Sequence, residues 1–80
     1  MLTAELIPLN LLDDGATAQV AEIMGGPEQV HRIKELGLKH GAELQMLRSG
    51  SPCIIRMAGQ TLCFRGSELL SVLVRPRVLA

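Results

Sequence analysis

Apolar residues fall in short alternating runs broken by glycine and proline, and a single stretch has helical spacing. In "GGPEQVHRIKELG", Gly25 to Gly37, the apolar residues Val30, Ile33 and Leu36 recur at intervals of three among polar neighbours. That spacing predicts an amphipathic helix. Pro27 suits the first helical position, where its missing N–H is no loss. Glu28 sits at the positive end of the macrodipole and Lys34 near the negative end. Past the last turn Gly37 can turn left-handed, which lets Leu38 fold back onto the apolar face.

The other runs have strand character. "GATAQVAEI" (Gly15 to Ile23) reads as a first strand, although the odd spacing of Val20 and Ile23 implies a bulge or an early end. "AELQMLR", "PCIIRMA", "TLCFR" and "SVLV" are further short strands with period two. "GSELL" reads as one helical turn. About five short strands and one inserted helix predict a mainly β chain, its sheet bent into a small SH3-like barrel with the helix plugging one end. The whole chain, 1–80, makes one domain with its core at about residues 9–75. Beyond Pro76 the tail "RPRVLA" is expected to be loose, since proline cannot continue a central ladder.

One hairpin register follows from turn chemistry. A two-residue turn at Gly59–Gln60 pairs Ala58 with Thr61 and Met57 with Leu62. Cys53, Ile55, Met57, Leu62 and Phe64 then share the core face, and Ile54, Arg56, Cys63 and Arg65 the other. Cys53 points inward and Cys63 outward, which forbids a disulfide. A three-residue loop would instead bring both cysteines to one face.

Composition narrows the function. The chain is 48% hydrophobic, but Phe64 is its sole aromatic residue, so aliphatic side chains and Met must build the core. The formal net charge is zero. No basic stripe or stacking platform marks a nucleic-acid binder, and one Phe cannot line a groove for proline-rich peptides. The N-terminal stretch lacks a basic segment before its apolar residues, and no run reaches the roughly 18 apolar residues of a membrane span. These features place the protein in the cytoplasm, without direct membrane insertion.

Chemistry-bearing residues are sparse. His31 and Glu35, four apart, lie on one helical face and are candidate metal ligands, with His40 a third if the chain folds back. A solvated pair making a local hydrogen bond is the simpler account of His31 and Glu35, because two ligands fall short of a closed site. There is no Cys-x-x-Cys, no nucleophile elbow and no phosphate-binding loop, so no enzyme activity is expected. Leu36, Gly37 and Leu38 are explained by the helix stop and are also candidates for partner contact. Outward Ile54, Cys63 and Leu73 are candidates for an interface, with a partner or a second copy.

The ordered set "LNLLDDG", Val20, "RIKELGLKHG", "GSPCII", "LCFRGSELL" and "SVLV" resembles the ferrous-iron transport protein A (FeoA) family from Leu9 to Val74. The most specific part matches the family's Arg-Leu-x-x-Leu-Gly-Leu-x-Pro-Gly signature with Arg32, Ile33, Leu36, Gly37, Leu38 and Gly41. His40 stands where the family has Pro, and the "RSGSP" segment is shorter than in many members. The resemblance implies an SH3-like fold and a small cytosolic accessory protein of ferrous-iron uptake. It also implies a partner, the FeoB-type membrane transporter with its cytosolic GTP-hydrolysing part. Similar domains end metal-dependent repressors, so a metal-sensing module that binds a transition metal directly is the alternative. No cofactor follows firmly; Fe(II) or adventitious zinc are the candidates.

Overall fold

The structure, a computed structural model, describes residues 5–50, 52–65 and 71–77. Six antiparallel strands form one sheet: β1 (Ile7–Pro8), β2 (Thr17–Ile23), β3 (Glu43–Arg48), β4 (Cys53–Met57), β5 (Gln60–Phe64) and β6 (Val72–Pro76). Their order across the sheet is β1-β6-β2-β3-β4-β5. Among the described residues one α-helix, α1 (Pro27–Glu35), joins β2 to β3, and a 3-10 turn at Leu9–Leu11 follows β1. This is the mainly β, SH3-like class expected. β1, absent from that expectation, is too short to show a period. "GSELL" lies outside the described residues, as does the tail from 78 onward.

Strand parity places the core. Cys53 and Ile55 on β4, Met46 on β3 and Val72 and Val74 on β6 are fully buried, as are Leu9 and Leu38. The bulge expected in β2 is present. The register with β6 shifts between Val20 and Glu22, so Val20 opposes Val74 and Ile23 opposes Val72. Both apolar residues thereby meet the core despite their odd spacing.

The β4–β5 turn differs from the expected one. It consists of Ala58 and Gly59, with Met57 opposite Gln60, Ile55 opposite Leu62 and Ile54 opposite Cys63. Both turn residues have positive φ, 50° and 78°, the backbone that matches the twist of a two-residue hairpin. The slip preserves parity, so the two faces stand. Cys53 is buried, Cys63 is exposed, and both are free thiols.

The chain is also held further than Pro76. Pro76 opposes Ala18 at the end of β6, beyond the reach of β1, where a missing N–H leaves no gap in the sheet. The Arg77 amide donates to the Thr17 carbonyl at 2.8 Å, and its guanidinium pairs with Glu43.

Candidate functional site

The helix stop is built as its residues dictate. Gly37 has φ 101°, its amide donates to the Lys34 carbonyl at 2.9 Å, and the Leu38 amide reaches back to the Ile33 carbonyl at 3.3 Å. These paired bonds satisfy helix-end carbonyls and turn Leu38 into the core. A side chain at Gly37 would bring its Cβ to 2.9 Å from Met57 Cε.

This corner divides its three candidate contact residues. Leu38 has no exposed surface and anchors the turn from within, so its side chain is not available to a partner in this conformation. Leu36 caps the helix instead of extending its buried face and remains 43% exposed. The helix's inward face therefore rests on Ile33, with Val30 half-buried. Leu36 borders two shallow grooves. One, of about 520 Å³, runs past Gly37 to Met57 and Ala58, and the other, of about 440 Å³, lies between the helix and Phe64.

The outward sheet residues form a second surface. Ile54 and Cys63 face each other across β4 and β5. A further bulge sets Leu47 and Arg48 together opposite Ile54. Leu47 is 38% exposed, Cys63 is exposed and Ile54 is half-buried. Leu47 went unnoticed in the sequence because simple alternation does not reveal a bulge. Leu73 does not belong to this group: it lies half-buried between Pro8 on β1 and Glu22 on β2.

The candidate metal ligands are separated. His31 Nε2 lies 2.8 Å from Glu35 Oε1 on the exposed side of α1. The His40 ring is engaged elsewhere, with Nδ1 2.7 Å from the Ala21 carbonyl oxygen, where a protonated Nδ1 donates. Among the described residues no three His, Cys, Asp or Glu side chains gather as metal ligands. One imidazole and one carboxylate on open surface do not make a closed zinc or iron centre. Cys53 offers no ligand to solvent either: burial pushes its thiol pKa up, and its Sγ donates to Met46 Sδ at 3.5 Å. No described helix is long and apolar enough to cross a membrane.

Comparison with known proteins agrees with this architecture. A crystal structure of an iron uptake regulatory protein, FeoA, aligns with a TM-score of 0.86 and 28% identity, covering 91% of this chain and all of that one. A Stenotrophomonas maltophilia FeoA, solved with zinc, is described as an SH3 domain protein suggested to act as a ferrous iron transport activating factor. It aligns at TM-score 0.74 and 24% identity, covering 85% of this chain and 88% of its own. A manganese-dependent transcriptional repressor shares the fold at TM-score 0.83 and 18% identity; 94% of this chain matches 44% of the repressor. A search of curated protein sequences found no match. The family model of the FeoA domain matches residues 7–76, and the chain therefore belongs to the FeoA domain family.

Proposed function

We propose that this chain is a single-domain, cytoplasmic accessory protein of ferrous-iron uptake that docks on the cytosolic GTPase part of a FeoB-type transporter. The observation that carries this reading is the family match over residues 7–76, joined to apolar side chains on the described surface that are open to contact. Exposed Leu36 on the helix corner, with Ile54, Cys63 and Leu47 on the sheet, supplies apolar docking area. Among the described residues the candidate donors His31 and Glu35 lie apart from His40, so the reading rests on contact and assigns them no reaction. Iron is then the transporter's cargo, and GTP hydrolysis belongs to the partner.

Direct metal sensing ranks second. Its support is the likeness to the repressor fold and the His31–Glu35 pair. Two donors predict weak, exchangeable metal binding.

The test is Fe(II) uptake by cells that keep the transporter but lack this chain. The proposal expects altered uptake, restored by the wild-type chain. Unchanged uptake with the transporter present contradicts it.

A further inference from the structure

The β4–β5 hairpin ends the sheet. Among the described residues β5 pairs with β4 alone. Because the two-residue turn closes between Met57 and Gln60, the hydrogen-bonded pairs are Met57–Gln60, Ile55–Leu62 and Cys53–Phe64. The backbone N–H and C=O groups of Thr61 and Cys63 therefore point away from β4, toward the open side of the sheet. Their side chains share the solvent face with Arg65. Proline and lysine, which commonly protect an edge, are absent from β5.

Charge adds a second, independent observation. The chain is neutral as a whole, yet between Leu44 and Arg65 it holds Arg48, Arg56 and Arg65 and no Asp, Glu or Lys. Arg56 and Arg65 are exposed and have no ion pair among the described residues. Arg48 lies near Asp14, which is itself bonded to the Ser49 amide. Glu43 is engaged by Arg77. Leu47, Ile54 and Cys63 thus make an apolar strip rimmed by cationic side chains beside an open strand edge.

We propose that the β5 edge takes up an extended segment of the partner protein, one carrying acidic side chains among apolar ones. The segment adds a strand to Thr61 and Cys63, lays apolar residues over the strip and sets carboxylates against Arg56 and Arg65. This inference rests on the docking reading above and names its site. It excludes the helix corner as the principal contact.

Hydrogen exchange of the full chain, with and without the full-length transporter in nanodiscs, tests it. The expected result is binding with the Thr61 and Cys63 amides slowed about tenfold or more. Thr61→Pro removes an edge N–H while sparing the ladder to β4, and is expected to abolish that protection. Arg65→Glu leaves the backbone intact and is expected to weaken binding about tenfold, and the remaining attraction to fade at high salt. If Thr61→Pro fails to fold, Arg65→Glu decides. Binding with protection centred on Leu36 and Gly37 overturns the edge proposal and leaves docking standing. Protection of β5 that rises with the chain's own concentration, without transporter, overturns it in favour of self-pairing. Failure to bind the transporter removes the docking reading and this proposal together.

Discussion

At the scale of single residues, the helix stop shows how much one glycine decides. Gly37 combines a left-handed backbone with close approach to Met57, and both features depend on the missing Cβ. Gly37→Ala is expected to destabilise the fold by about 1–2 kcal/mol, measured by urea unfolding. An unchanged midpoint would contradict the role given to that corner. The two cysteines make a paired prediction. Cys63 should react promptly with a thiol reagent, whereas Cys53, buried against Met46, should react only on unfolding. Asp14 supplies a pH dependence. Its carboxylate accepts the Ser49 amide at 2.7 Å, and bonding to Ser49 holds its pKa below the ordinary value. A depressed folded pKa adds stability above the unfolded value, lost as pH falls through the folded one. Asp14→Asn should therefore be less stable than wild type at neutral pH and converge with it in acid, as read by thermal melts across pH. Gly37, Leu38 and both cysteine orientations were legible in the sequence because backbone chemistry and strand parity fix them. The exposure of Leu36 was not: helical spacing alone cannot tell where the helix gives way to its cap.

At the scale of elements, the hairpin carries the sharpest contrast between local preference and global demand. Its two-residue turn requires positive φ at both positions, and the sequence provides Ala58 where Asn or Gly would be easier. Ala58→Asn is expected to stabilise the protein by a few tenths to about 1 kcal/mol, checked by thermal unfolding. A loss of stability would show that the hairpin needs the alanine methyl group. The turn lies one residue earlier than Gly59–Gln60 because Ala58, and not Gln60, takes the positive φ beside Gly59. The faces survived because the displacement kept parity. The β2 bulge was readable from Val20 and Ile23, whereas the β3 bulge at Leu47 and Arg48 emerged only from pairing with β4. Helix α1 depends on tertiary anchors more than on its own length. Ile33 fills the core, and Gln29 Nε2 donates to Ser71 Oγ at 3.3 Å.

At the scale of the whole molecule, zero net charge conceals an uneven distribution. The arginines of the β3–β5 region face solvent beside an open edge, and the carboxylates lie mainly on other segments. The sequence disclosed the family and fold through an ordered set of turns, a helix stop and strand parity. It disclosed less of the surface, because Ile54, Cys63 and Leu47 become neighbours only through register, and Leu73 is drawn between two strands. The separation of His31 and Glu35 from His40 likewise follows from the loop's attachment to β2, which no spacing rule contains. The proposed role of this domain is docking on a ferrous-iron transporter. An amide NMR titration of the labelled chain with the transporter's cytosolic GTPase domain, repeated anaerobically with Fe(II) alone, tests it most directly. Saturable shifts with the GTPase domain, and only weak, unsaturated shifts with Fe(II) near His31, are the predicted result. Tight, stoichiometric Fe(II) binding without any response to the GTPase domain would contradict it.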